Sequence, residues 1–264
     1  MIVRDALDAA VPAIAAAGCD TPRLDADVLV ADALGVDRAA LYAEPDVPIT
    51  GAQARLIGER VRRRVAREPV AYILGRKGFR GIELLVDGRV LIPRPETELL
   101  VEVALELPEG ARVHEVGTGS GAVALALRDE RPDLVVSASD ASPAAAEVAR
   151  ANAARLGLPL PIEPARNLPR VDAELVVANL PYVREDEWAA LQPEITKYEP
   201  RSALIGGPDG LDAIRSLVAE APPGTRLALE HAPGQAGVVR ELLREAETRR
   251  DMGGRERVTV GSVP

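Results

Sequence analysis

Val113-His114-Glu115-Val116-Gly117-Thr118-Gly119-Ser120-Gly121-Ala122 reads as a buried strand that turns through glycines into a helix. Glycine lets a backbone turn tightly and come close to a ligand, and the first N–H groups of the following helix are free to face it. In an open α/β sheet, nucleotide-like ligands sit at such a turn. Outward from this stretch, strands are expected over 112–116, 135–139, 174–178, 226–230 and 257–260. Helices are expected between them, over 122–128, 143–156, 211–220 and 235–246. Pro95-Glu96-Thr97-Glu98 opens one more helix upstream, because proline suits a first turn and acids there favour the helix dipole. Strands separated by helices of this length imply a mostly parallel, doubly wound sheet covered on both faces.

Upstream the pattern differs. Residues 1–73 read as helices, with apolar spacing such as Leu24, Val28, Leu29, Ala31 and Leu34, and with breaks at Gly18, Gly35 and Pro45–Pro48. The arginine-rich run 53–67 is a helix that Pro69 should end. Phe79, Ile82, Leu84, Val86 and Val90-Leu91-Ile92, with Asp87-Gly88 as the turn, read as a β-hairpin. The expected organisation is a helical domain over 1–73, a hairpin linker over 74–92 and an α/β domain over 93–264.

Composition narrows the function. The chain has 264 residues, with 32 Lys+Arg against 41 Asp+Glu and a formal charge of −9, which argues against broad phosphate-driven nucleic-acid binding. Aromatics make up 2%, too few for stacking platforms on single strands. No apolar run approaches the roughly 20 residues of a membrane span, and the N-terminus lacks a signal-peptide pattern, so a cytoplasmic protein is expected. The single Cys19 excludes an internal disulfide framework, and His114 and His231 are too far apart in sequence to indicate a metal site.

Two segments carry chemistry. Asp140 ends the second strand of the α/β region about 20 residues past the glycines, where a carboxylate can accept hydrogen bonds from both ribose hydroxyls. Gly117, Gly119 and Ala122 also fit a dinucleotide loop, but Glu115 puts negative charge where a cationic ligand fits better than a pyrophosphate. Thr118, Ser120 and Gly121 complete a Gly-x-Gly-x-Gly loop. The second segment is Asn179-Leu180-Pro181-Tyr182, delivered by an apolar strand to the carboxyl edge of the sheet. The segment resembles the Asn-Pro-Pro-Tyr motif of methyltransferases acting on planar nitrogens. The resemblance implies that the Asn179 side-chain oxygen and the Leu180 carbonyl each accept one N–H of a weakly nucleophilic amide, holding its lone pair toward a methyl donor without a strong base. Pro181 restricts Leu180 to extended conformations, and Tyr182 can stack on a flat substrate group.

The glycine segment resembles the S-adenosylmethionine loop of Rossmann-like methyltransferases. Tyr72-Ile73-Leu74-Gly75, Leu91-Ile92-Pro93-Arg94-Pro95-Glu96-Thr97-Glu98, Tyr198-Glu199-Pro200-Arg201, Gly206-Gly207-Pro208-Asp209-Gly210-Leu211 and Gly254-Arg255-Glu256-Arg257-Val258 extend the likeness over nearly the whole chain. On these residues the chain resembles the PrmC/HemK family, the N5-glutamine methyltransferases of peptide chain release factors. The resemblance implies a Rossmann-like methyltransferase domain with an antiparallel C-terminal strand, preceded by a helical substrate-recognition domain. It implies S-adenosylmethionine as cofactor, contacted by Glu115, Gly117, Thr118, Ser120, Gly119, Gly121, Asp140 and Asn179. It implies a monomer acting on class 1 release factors, at the glutamine of their Gly-Gly-Gln motif, through Asn179, Leu180, Pro181 and Tyr182. Leu180 replaces the family's first proline, 163–172 carries no aromatic residue, and 245–248 is short.

Competing readings remain: a DNA N6-adenine methylase, a glutamine methyltransferase of another protein such as ribosomal protein L3, a non-catalytic cofactor binder, and an NAD dehydrogenase. Arg60, Arg62, Arg63, Arg64 and Arg67 read as a solvated helix face, with an acidic protein partner as the alternative. Glu96 and Glu98 read as helix-start charges, Gly206–Gly210 as turn chemistry, and Cys19 and Trp188 as packing. His114 reads as a strand residue, and His231 is a minor candidate for the site.

Overall fold

The computed structural model describes every residue except 167. The chain forms two compact units, Met1–Gly75 with Gln192–Tyr198, and Arg76–Leu191 with Glu199–Pro264.

In the first unit, helices α1 (Val3–Ala16), α2 (Pro22–Leu34), α3 (Arg38–Ala43), α4 (Gly51–Val65) and α5 (Val70–Leu74) surround a core that includes Leu7, Ile14, Leu29, Leu41 and Ile57. α4 starts on a reciprocal cap: Gln53 N donates to Thr50 Oγ1 at 3.2 Å, and Thr50 N donates to Gln53 Oε1 at 2.9 Å. Arg62 is exposed, as a solvated face requires, but Arg60, Arg63, Arg64 and Arg67 are paired. Arg60 pairs with Asp32 at 2.6 Å and Arg63 with Glu68 at 2.6 Å, while Arg64 meets Asp25 at 2.7 Å and Glu194 at 2.8 Å. Arg67 holds the other oxygen of Glu194 at 2.6 Å. Most of these acids come from distant parts of the chain, which is why local charge counting missed the pairing.

The second unit opens with the antiparallel pair β1 (Arg76–Phe79) and β2 (Ile82–Leu85). Its turn is Arg80-Gly81 and not the expected Asp87-Gly88. Arg80 sits at φ 46, and its Nη2 donates to Glu130 Oε2 at 2.8 Å. Val90-Leu91-Ile92 forms no strand; Ile92 N instead donates to Glu199 Oε2 at 3.1 Å. After a short 3-10 turn at Pro95–Thr97 come α6 (Glu98–Leu105), β3 (Arg112–Val116), α7 (Ala122–Glu130), β4 (Val135–Asp140), α8 (Pro143–Leu156), β5 (Ile162–Pro164) and β6 (Leu175–Ala178). α9 (Pro193–Tyr198) belongs to the first unit, and the chain continues through α10 (Asp212–Glu220), β7 (Arg226–Glu230), α11 (Ala236–Glu241), β8 (Arg244–Arg250) and β9 (Glu256–Ser262).

The large sheet has the order β5-β4-β3-β6-β7-β9-β8. The first five strands are parallel, while β9 runs antiparallel to both β7 and β8. β6 is buried at every position and β3 at all but its first, the pattern of a sheet covered on both faces. The chain moves outward from β3 through β4 to β5, then returns to place β6 on the other side of β3. A crevice for a ligand forms where the winding reverses, at the carboxyl ends of β3 and β6.

The helix expected over 235–246 ends at Glu241, and the C-terminal hairpin is present, with 245–248 inside its edge strand. β8 reads Arg-Glu-Ala-Glu-Thr-Arg-Arg; charged residues suit a sheet edge, and the apolar alternation of a strand is absent. Among the described residues, no helix is long and apolar enough to cross a membrane, and no cluster of His, Cys, Asp or Glu is placed to hold a metal.

Candidate active site

Strand register builds the site. Val116 of β3 is level with Ser139 of β4 and Ala178 of β6, and Ala178 is level with Leu229 of β7. The next residue on each strand therefore falls in one row along the carboxyl edge: Asp140, Gly117, Asn179 and Glu230. Three of these four were singled out in the sequence, and Glu230 was not.

A cavity of about 740 Å³ opens at this edge, in the range of a small-molecule site. Glu115, Gly117, Thr118, Gly119, Ser120, Asp140, Asn179, Leu180 and Pro181 all line it, and Gly206 and Gly207 close another side. Gly121 is not in the lining, and a Cβ there would strike Leu125 Cδ1 at 2.8 Å, so its smallness serves the packing of α7. Gly119, at φ +56, has nothing within 4 Å of where a Cβ would stand, and its face is left open to the cavity. Tyr182 lies on a second, smaller cavity lined also by Arg94, Asn179 and Leu180. Asn179 and Leu180 thus border both spaces.

Each acid has a structural task. Asp140 Oδ2 accepts from Gly119 N at 2.8 Å and Oδ1 from Ser142 N at 2.8 Å, so the carboxylate fixes the glycine loop and the entry to α8 together. Each oxygen keeps a lone pair. Burial pushes the Asp140 carboxyl up from its ordinary value, with those two N–H groups opposing the rise. Glu115 Oε2 accepts from Thr118 Oγ1 at 2.6 Å and from Ala124 N at 3.0 Å, bracing the loop against α7. Its burial raises the carboxyl to about 7.

Asn179 Nδ2 donates to Thr97 Oγ1 at 3.0 Å, so the amino end of its carboxamide is engaged away from the oxygen. The Tyr182 hydroxyl donates to Glu230 Oε1 at 3.2 Å, and burial is the main cause that raises the phenol's pKa. Gln235 Nε2 bridges the carbonyls of Tyr182, at 2.9 Å, and Asp209, at 3.1 Å. Gly206–Gly210 is therefore more than a turn. Gly206 N donates to Val183 O at 2.9 Å, and a Cβ on Gly210 would sit 2.2 Å from Tyr182 O, so the loop lies backbone against backbone on the Asn-x-Pro-Tyr segment. Leu180 packs on the cluster containing Val176, Ala178 and Leu211, so hydrophobic anchoring holds this position.

Thr97, Glu230 and Gln235 were missed as site residues. Their signal was present in the sequence as polar residues beside apolar strands and prolines, but their partners are distant in the chain. His231 is fully buried, with Nε2 2.8 Å from Thr259 Oγ1, and His114 is bonded to Ser137 and Ser139, so both are satisfied core histidines. Arg166 lines the cavity within 163–172, whereas Asn167 of that segment lies outside the described residues.

The winding, the glycine turn, the acid on the neighbouring strand and the Asn-x-Pro-Tyr wall define a methyltransferase of the Rossmann-like class. Residues 95–196 match the Methyltransferase small domain and residues 5–75 match the PrmC N-terminal domain. A release factor glutamine methyltransferase of Xylella fastidiosa (strain Temecula1) is 42% identical over 95% of this chain and 97% of its own length. That of Cereibacter sphaeroides is 41% identical over 100% of this chain and 99% of its own. Among solved structures, the hMettl16 catalytic domain in complex with a MAT2A 3'UTR hairpin superposes with a TM-score of 0.51 at 15% identity, over 67% of this chain and 74% of that one, a likeness of fold alone. The chain belongs to the family of release factor glutamine methyltransferases.

Proposed function

We propose that the protein methylates the side-chain amide nitrogen of the glutamine in the Gly-Gly-Gln motif of class 1 release factors, with Asn179 and Leu180 holding that nitrogen. The observation that carries this reading is the Asn179 carboxamide. With Nδ2 engaged by Thr97, Oδ1 is the end left for a substrate N–H. The Leu180 carbonyl is a second acceptor beside it, and Pro181 limits the directions it can take. Two fixed acceptors hold a weak nucleophile in line and stabilise the charge it gains in the transition state. The Tyr182 ring, tethered through its hydroxyl, offers a flat face to the amide plane.

S-adenosylmethionine is the cofactor, and it supplies an electrophilic methyl group on a sulfonium. The residues present fit it. The open face of Gly119 gives the loop close approach, Asp140 keeps lone pairs for ribose hydroxyls, and Glu115 places a carboxylate on the cavity wall. Residues 1–73 serve substrate recognition, and 74–92 link them to the methyltransferase domain over 93–264. The protein acts in the cytoplasm as a monomer on a protein partner rather than on nucleic acid, in keeping with its formal charge of −9.

Intact-mass measurement of a release factor incubated with the protein and S-adenosylmethionine tests the reading. The expected result is a gain of one methyl group that vanishes when the Gly-Gly-Gln glutamine is replaced by alanine. No gain, or a gain that survives the replacement, contradicts it.

A further inference from the structure

Arg94 and Glu199 belong to two different motifs of the sequence, take no part in the reaction described above, and form one ion pair. Arg94 lies between two prolines, and the one that follows restricts it to extended backbone, observed at φ −102 and ψ 147. Its carbonyl accepts from Thr97 N at 3.1 Å, so the point from which its side chain departs is fixed. Glu199 is buried. Its Oε2 accepts from Ile92 N at 3.1 Å, and its Oε1 accepts from Arg94 Nη2. One carboxylate therefore holds both the backbone and the guanidinium of the 92–94 segment, and Ser202 and Ala203, which follow it closely, line the large cavity.

Arg94 borders both cavities of the site, as do Asn179 and Leu180, and among the described residues lining the smaller one it alone is charged. A guanidinium has five N–H donors and no acceptor. Glu199 engages one of them, and a side chain that is 30% exposed has donors left for a ligand. The pair is neutral as a whole, which suits an uncharged acceptor better than an anion. Asn179 and Leu180 offer acceptors to an amide; Arg94 offers donors next to them. Two of the three residues in a Gly-Gly-Gln segment have no side chain, so they are recognised through their backbone. A donor on the glutamine's own amide oxygen would draw the nitrogen lone pair further into the carbonyl and slow methyl transfer. A backbone carbonyl is the acceptor that fits.

We propose that Arg94 donates to a backbone carbonyl of the Gly-Gly-Gln segment and so selects the peptide, with Glu199 as the residue that positions it. The inference rests on the proposed function and adds to it how the substrate is recognised.

The test uses the full chain with Arg94→Lys, Glu199→Gln and the Arg94→Lys/Glu199→Gln double variant. Lysine keeps a positive charge beside Glu199, so the buried carboxylate is not left unpaired, but it loses the planar fork. Glutamine at 199 can still accept from Ile92 N while it releases the guanidinium. Each single variant is expected to raise KM for the release factor roughly tenfold or more, with kcat within about twofold of wild type. S-adenosylmethionine affinity and melting temperature should be little changed. The double variant is no worse than the worse single variant, because both changes remove one contact. A fall in kcat with KM unchanged, or a KM effect that follows lost cofactor affinity or a lowered melting temperature, overturns the proposal while leaving the methylation reading intact.

A second readout does not depend on turnover. Affinity for a Gly-Gly-Gln peptide is measured for wild type and Arg94→Lys, with each peptide bond in turn replaced by an alkene that keeps the shape and removes the carbonyl. The unmodified peptide is expected to bind Arg94→Lys roughly tenfold more weakly, and one of the replaced peptides to bind both proteins equally. A deficit that persists through every replacement, no deficit at all, or a wild-type protein that does not bind the peptide overturns the assignment of Arg94. The expected binding pattern without methyl transfer to the release factor would contradict the proposed function alone.

Discussion

Asp140 and Glu115 are both buried acids at the glycine loop, yet replacing each should show in a different measurement. Asp140 closes the loop through Gly119 N and the start of α8 through Ser142 N, and it lines the cavity. Asp140→Asn keeps the size and loses the charge, so S-adenosylmethionine affinity by calorimetry should fall roughly tenfold or more. Glu115 shows itself in stability. Its carboxyl, ordinarily near 4.5, is raised to about 7 by burial. Between those values the folded chain holds a proton that the unfolded chain has released, so stability declines as pH rises through this window. Glu115→Gln removes the ionisation. Compared with wild type, its denaturant stability should improve by roughly 3 kcal/mol on going from about pH 5 to about pH 8. Equal pH dependence in the two proteins would show that Glu115 ionises without cost. The positions of these two acids were legible in the sequence because a glycine turn and a strand-end acid are local patterns. The bracing role of Glu115 was not, since its partners Thr118 and Ala124 meet it only once the strand and helix have packed.

Strands and loops at the carboxyl edge show the same division. β6 is a continuous apolar run and β3, β4 and β7 each carry apolar residues among their buried positions, and the boundaries of all four fall within a residue of those expected. β8 was missed because its residues are chosen for an edge: Arg249 pairs with Glu106 at 3.1 Å and Arg250 with Glu256 at 3.4 Å, and charge hides the strand period. The first hairpin was placed on the wrong turn because Asp-Gly is the stronger local signal, whereas Arg80 is stabilised at φ 46 through distant Glu130. The Gly206–Gly210 loop gives a prediction at this scale. A side chain on Gly210 meets the Tyr182 carbonyl at 2.2 Å, in a backbone conformation, φ +76, that other residues rarely adopt. Gly210→Ala should push the loop off the Asn-x-Pro-Tyr segment and lower kcat at least about tenfold, because a small misplacement of the acceptors is costly. Steady-state kinetics alongside a thermal melt would separate this from unfolding.

The chain as a whole builds its two units from non-consecutive pieces, and Glu194 shows how the N-terminal unit recruits residues 192–198. Its carboxylate sits between Arg64 and Arg67, and together the two guanidinium groups hold its pKa below the ordinary range against the opposing effect of burial. Removing one partner of such a buried group leaves uncompensated charge, so Glu194→Ala should cost roughly 3 kcal/mol in chemical denaturation. A change below about 0.5 kcal/mol would place these pairs with ordinary surface bridges. No local reading of 53–67 could anticipate this, because Glu194 lies more than a hundred residues away in the sequence. The molecule's function turns on which atom receives the methyl group, and that can be measured directly. A release factor treated with the protein and S-adenosylmethionine is digested, the Gly-Gly-Gln peptide is sequenced by tandem mass spectrometry, and the peptide is then hydrolysed in acid. The expected result is one methyl group on that glutamine and release of methylamine, the signature of a methylated side-chain amide. A methyl group on any other residue, or a methylated glutamine that yields no methylamine, would contradict amide methylation by Asn179 and Leu180.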